Sequence, residues 1–152
     1  MKDVDPKMHS AEHILSGTLM KMFHCGRPFT THLEKKKSKA DFHFDRPLTD
    51  EETEEVERRV NDVILSDLAV SEELIPRSQA ETVFDLGRLP EETGDSIRII
   101  HIGQYDSCPC SGTHVRSTKE IGRFRIISTT FEDGALRVRF KLDGSSSQPP
   151  YL

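Results

Sequence analysis

The sequence has no apolar run approaching the ~20 residues that a membrane-spanning helix requires. It also lacks the basic start and apolar stretch of a secretory leader. Cysteine is scarce: there are three, and two of them fall in Cys108-Pro109-Cys110. That is not the framework of a secreted disulfide domain, and a metal site in a reducing cytoplasm fits better. There is no internal repeat, and no overall excess of positive charge. The 152 residues carry a formal net charge of −5, so the charge of the whole chain does not argue for nucleic-acid binding. The imbalance is local. Residues 1–48 hold nine Lys/Arg against six Asp/Glu, residues 49–95 four against fifteen, and residues 96–152 eight against five. Basic patches therefore remain at Lys35-Lys36-Lys37 and at Arg116 and Lys119; their default reading is a solvated loop face, and these five residues are also the candidate contacts to nucleic-acid phosphates.

Two spaced pairs of metal-ligand residues stand out. His9 and His13 are four residues apart, so both imidazoles lie on one face of a helix and can reach one ion. Cys110 and His114 are also four apart, around a glycine that suits a tight polar loop. Three imidazoles and a thiolate form a complete set of nitrogen and sulfur donors for tetrahedral zinc. Cys108 is a candidate spare ligand, whereas Cys110 has the spacing to His114 and is the expected one.

The run His9-Ser10-Ala11-Glu12-His13-Ile14-Leu15, with Cys110-Ser111-Gly112-Thr113-His114-Val115 and then Thr118-Lys119-Glu120-Ile121-Gly122, resembles the editing domain of alanyl-tRNA synthetase. It resembles the free-standing proteins of the AlaX type still more closely, and the related domain of threonyl-tRNA synthetase more distantly. The likeness extends over roughly positions 6 to 142 and includes Asp45-Arg46-Pro47-Leu48-Thr49 and Asn61. It departs at Ser111 and Lys119, where the family usually has Gly and often has Gly, respectively. The resemblance implies zinc held by His9, His13, Cys110 and His114. It implies hydrolysis of tRNA(Ala) mischarged with serine or glycine by an editing domain over residues 1–143, and the Ser- and Pro-rich composition of 144–152 reads as a loose tail. A hydroxyl residue shortly after the first helix is also implied, which makes Thr30, ahead of Thr31, the expected reader of the serine side chain. Thr113 is expected either to touch substrate or to shape the ligand loop. No ATP use or aminoacylation is expected.

Two other functions compete. His9-Ser10-Ala11-Glu12-His13 is also a literal His-x-x-Glu-His, the inverted zincin pattern of certain peptidases. That string is short and leaves Cys110 and His114 without a role. The other competitor is a non-catalytic, zinc-stabilised tRNA-binding module.

Periodicity predicts an α+β fold, mostly antiparallel sheet packed against helices. A helix capped by Asp5 and Pro6 is expected to about Phe23. Phe29 to Glu34 reads as extended and Lys39 to Asp45 as a strand. Thr49-Asp50-Glu51-Glu52 is a capping box opening a helix to about Ser66. Ala69 to Ile75 reads as a strand, and Ser78-Gln79-Ala80-Glu81 as a second capping box with a helix to about Leu86. A strand from Ile97 to Ile102 is expected to lead into the ligand loop. Ile121 to Phe131 and Leu136 to Leu142 form a hairpin about Asp133-Gly134, with Arg123, Arg125, Arg137 and Arg139 on one face.

Overall fold

The structure, a computed structural model, describes residues 5–84 and 95–143. It is α+β, and every strand pairing is antiparallel. Helix α1 spans Pro6–Phe23. The Asp5 side chain accepts from the Lys7 amide at 3.0 Å, and His24 closes the helix in the left-handed region at φ 60°. Strands β1 (Thr30–His32) and β2 (Ser38–His43) follow. Helix α2 (Asp50–Leu65) opens with both halves of the Thr49/Glu52 capping box in place. Then come β3 (Val70–Pro76), a single helical turn α3 (Arg77–Ala80), β4 (Ser96–Ile102) and β5 (Asp106–Pro109). A 3₁₀ turn (Thr118–Ile121) precedes the hairpin β6 (Arg123–Glu132) and β7 (Ala135–Asp143).

The strands form two sheets. One has the order β1-β2-β7-β6 and the other β3-β4-β5. The inner face of the first buries Ala40, Phe42, Leu136, Val138 and Phe140 against Met8, Ala11, Ile14 and Leu15 of α1 and Val56 and Val60 of α2. On β4 the two faces diverge. Ile97 and Ile99 pack with Ala80 in a small second cluster, while Ile102 on the opposite face joins the main core.

Side-chain amide chemistry fastens α2 to β6. Asn61 Nδ2 donates to the Phe124 carbonyl and Asn61 Oδ1 accepts from the Phe124 amide, both at 2.9 Å. The Glu57 carboxylate accepts from the Ile126 amide at 2.7 Å. Asn61 thus pairs with β6 as another strand would. Asn61→Ala leaves both Phe124 groups without that partner. It is expected to cost about 1–3 kcal/mol, read as a lower urea midpoint at unchanged slope. A change below ~0.5 kcal/mol would mean that water replaces the amide.

Three sequence-based expectations shift. The second capping box is not used: α3 begins at Arg77 after an uncapped Pro76, because β3 pairs with β4 through Pro76–Ser96. Of the helix expected to Leu86, the described part past Ala80 is turn and bend rather than helix, and residues 85 and 86 lie outside the described residues. Strand β5 was not anticipated; it intervenes between β4 and the ligand loop. Ile121 belongs to the 3₁₀ turn, and β6 starts at Arg123. The hairpin turn at Asp133-Gly134 is as expected, with both residues at positive φ. The tail at 144–152 lies outside the described residues.

Candidate metal centre

The helical period of α1 and the pleat of β5 build this site from residues about a hundred positions apart. His9 and His13 lie one turn apart on α1. Asp106 and Cys108 alternate onto one face of β5, and Cys110, two residues further on, continues that parity. The ligand atoms of His9, His13, Cys110 and His114 all lie within 4.8 Å of one another. Cys110 Sγ is 3.4 Å from His9 Nε2. Two ligands of one tetrahedral zinc stand about 3.3–3.7 Å apart, from metal–ligand bonds of ~2.0–2.3 Å. His13 is buried and the other three are half-buried, so the cluster has a protected side and an accessible one.

Hydrogen bonds orient the rings. His9 Nδ1 lies 3.2 Å from the Thr113 carbonyl, which can only accept; the proton belongs on Nδ1 and the lone pair on Nε2 faces Cys110. His114 Nδ1 lies 2.9 Å from Ser10 Oγ, which also accepts from the Val115 amide at 3.2 Å. His114 Nε2 is buried and has no hydrogen-bond partner among the described residues, as befits a nitrogen reserved for an ion. Burial, then the nearby His9 and Arg98, pushes the His114 pKa down to about 3, which keeps the ring neutral and able to donate its lone pair. The Gly112 amide points at Cys110 Sγ at 3.5 Å. These observations fit a metal ion held by the four side chains.

The supporting residues are not evident from sequence. Arg98 Nη1 donates to the carbonyls of Cys110 and Gly112 at 2.9 and 2.8 Å, fixing the loop from β4, while its Nε pairs with Glu72. The available signal was a lone cation in the apolar run Ile97-Arg98-Ile99-Ile100. Asp106 is buried, 3.9 Å from His13 Nδ1, and is clamped by Arg27 Nη2 at 2.9 Å. Desolvation lowers the Arg27 pKa, but the Asp106 charge and hydrogen bond outweigh it, so the guanidinium stays above its ordinary value. Gly17 admits Asp106 to α1, since a Cβ there would sit 3.1 Å from Asp106 Oδ1.

The other expected residues fall in different places. Cys108 is outside the cluster: burial pushes its pKa up to about 12, so it is a thiol, and it donates to the Pro109 carbonyl at 3.3 Å. Glu12 is buried and accepts from Ser16 Oγ at 2.5 Å, and Cys110 and His114, not Glu12, complete the histidine pair. That arrangement does not support the peptidase pattern. The Thr113 side chain is exposed, and its backbone carbonyl holds His9. The β1–β2 register pairs Thr30 with Asp41 and Thr31 with Ala40. Alternation turns Thr31 to the core face shared with α1 and Thr30 to the opposite face. Lys35, Lys36 and Lys37 are exposed on the β1–β2 loop, and Arg116 and Lys119 are exposed beyond the ligand loop.

Fold and site together define a small α+β domain with a three-histidine, one-cysteine centre. Residues 97–148 match the family described as the threonyl and alanyl tRNA synthetase second additional domain. The chain is 31% identical over 143 residues to alanine–tRNA ligase of Staphylococcus saprophyticus, covering 93% of this chain and 16% of that protein. The Bacillus subtilis enzyme is 34% identical over 124 residues, covering 80% and 14%. That of Halorubrum lacusprofundi is 37% identical over 107 residues, covering 68% and 11%. The chain thus spans about a seventh of the curated relatives it matches, and the likeness supports an alanyl-tRNA-synthetase-like editing domain. No helix among the described residues is long and apolar enough to cross a membrane.

Proposed function

We propose that this chain is a zinc-dependent editing hydrolase of the cytoplasm that deacylates mischarged tRNA(Ala), mainly seryl-tRNA(Ala), acting in trans as the free-standing proteins it resembles do. Residues 1–143 are the proposed catalytic domain. The observation that carries the reading is the convergence of His9, His13, Cys110 and His114 in a chain similar to alanine–tRNA ligases. Zinc, when bound, supplies positive charge that can polarise an ester carbonyl or hold substrate in place. Four protein donors fill a tetrahedron, so a positioning role is favoured over activation of a metal-bound water. Ser10, the Thr113 carbonyl and Arg98 keep the donors and their loop fixed before substrate arrives. The ester is already activated relative to an amide, so orientation in a confined site suffices for useful rates.

The same closed donor set also suits a structural zinc, and so a non-catalytic tRNA-binding module is the second reading. A deacylation assay separates the two. The purified chain, without ATP or any synthetase, is expected to release serine from seryl-tRNA(Ala) faster than alanine from alanyl-tRNA(Ala). Binding without release would select the module, and release from a different mischarged tRNA would reassign the substrate.

Recognition of serine is proposed to rest on a β1 hydroxyl, because a site that hydrogen-bonds a hydroxyl rejects the analogue lacking it. Thr30 follows from the resemblance, whereas the register favours Thr31. Replacing the right one by Val is expected to narrow the serine-over-alanine preference by about tenfold or more, with a smaller change in the serine rate. If neither substitution alters the ratio, β1 does not read the side chain.

Lys35, Lys36, Lys37, Arg116 and Lys119 are the proposed phosphate contacts. Charge reversal at Lys36 and Lys37 is expected to flatten the salt dependence of tRNA binding by about one unit of slope per lost contact. An unchanged slope would remove this loop from the tRNA face.

A further inference from the structure

The outer face of the four-stranded sheet carries groups that neither the core nor the metal centre uses. Lys39 and Arg139 are direct register partners across β2 and β7, and His32 sits beside Lys39 on β1. Like charges directly opposite each other destabilise a sheet. Two other cations on this face are neutralised: Arg137 is paired with Asp41 at 2.7 Å, and Arg125 with Asp143 at 2.7 Å. Lys39 and Arg139 make no ion pair within 4 Å among the described residues, although, after the Arg137 hydrogen bond, both lie near enough to Asp41 to help hold its carboxyl below the usual range. The exposed loop with Lys35, Lys36 and Lys37 leaves the sheet beside them.

A second observation lies on the same face. His43 follows Lys39 by four residues, about 13 Å along the strand, and so projects the same way. Its ring stacks on Phe29, with centroids 4.2 Å apart and planes within 20°. Both residues are exposed, Phe29 to 43%. The Phe29–His43 stack thus presents an exposed aromatic surface about 13 Å from Lys39 and Arg139, with the Asp41–Arg137 pair between them. Stacking on a base while neighbouring cations meet phosphates is how sheet surfaces hold single-stranded nucleic acid. The chain's net charge of −5 opposes a polyanion elsewhere, so a local cationic face would set the orientation of approach.

We propose that this face binds a single-stranded RNA segment, with a base on the Phe29–His43 pair and phosphates at Lys39 and Arg139. It rests on the reading that the chain acts on a charged tRNA, and names the surface that holds the unpaired part of that RNA outside the metal centre.

The test uses the full chain, a short fluorescein-labelled single-stranded RNA without any ester, and anionic lipid vesicles as a second probe. Lys39→Gln combined with Arg139→Gln should reduce the log–log salt slope by about 1.4, from ~0.7 per single-strand phosphate contact. Phe29→Ala should weaken binding roughly five- to 150-fold, the equivalent of ~1–3 kcal/mol per stacked base, without changing the slope. All three side chains are solvent-accessible, and thermal melting of each variant verifies the fold. Unchanged slope and affinity in these variants overturn the proposal, as does binding of vesicles in place of RNA. If the parent chain hydrolyses no ester yet loses RNA binding in the variants, the face stands and the hydrolase reading falls. If hydrolysis is present and RNA binding is indifferent to the variants, the face alone falls.

Discussion

Cys110→Ala is expected to lower zinc content and ester hydrolysis together. The thiolate is the one sulfur donor of the set, 3.4 Å from His9 Nε2, and the Gly112 amide is aimed at it. Removing it leaves three imidazoles and an open position. Loss of a partner hydrogen-bonded to a ligand typically costs ten- to a hundredfold in metal affinity, and loss of the ligand itself should exceed that. Cys110 is half-buried at a loop, so the metal-free fold should change by no more than ~0.5 kcal/mol. Metal titration, a deacylation time course and a melt of the metal-free protein are the three readouts. Unchanged metal affinity with unchanged hydrolysis would remove Cys110 from the site.

The second large effect comes from a methyl group. In Gly112→Ala, the new Cβ would stand 2.3 Å from His9 Cε1 and 2.7 Å from His9 Nδ1, well inside contact distance. Neither side yields easily. The Gly112 carbonyl is held by Arg98, and the His9 ring is held by the Thr113 carbonyl. The ring must swing, which breaks its hydrogen bond and turns Nε2 away from Cys110. Zinc affinity should then fall about as far as it does in His9→Ala. Gly26→Ala is the control, because a Cβ there meets nothing within 4 Å and the backbone is not left-handed. If Gly112→Ala binds zinc as the parent does, the loop is looser than these contacts imply.

What could be read from the sequence follows from the distance over which each signal acts. His9 and His13 share a helix face by the 3.6-residue period, and the α2 capping box is a four-residue pattern; both are as expected. That Cys110 and His114 meet them across a hundred residues was expected from the complementary donor set of two spaced pairs together with the resemblance, because no local rule carries that far. The supports were missed for the same reason: Ser10 to His114, Arg27 to Asp106 and Arg98 to Glu72 are tertiary pairs joining separate elements. The Ser78 capping box failed because strand pairing through Pro76 outweighed a local helix signal. Thr30 and Thr31 show the cost of one residue: in a strand, a single step reverses the face, and only the register with Asp41 and Ala40 decides it.

The most direct test of the account is serine release from preformed seryl-tRNA(Ala), followed with the zinc-loaded chain, with the same chain after chelation, and after zinc is restored. The expected result is release well above buffer with zinc, a return toward the buffer rate on chelation, and recovery on restoration, with alanyl-tRNA(Ala) cleaved more slowly throughout. Release at the buffer rate by a zinc-loaded chain that still binds the tRNA would contradict the hydrolase reading.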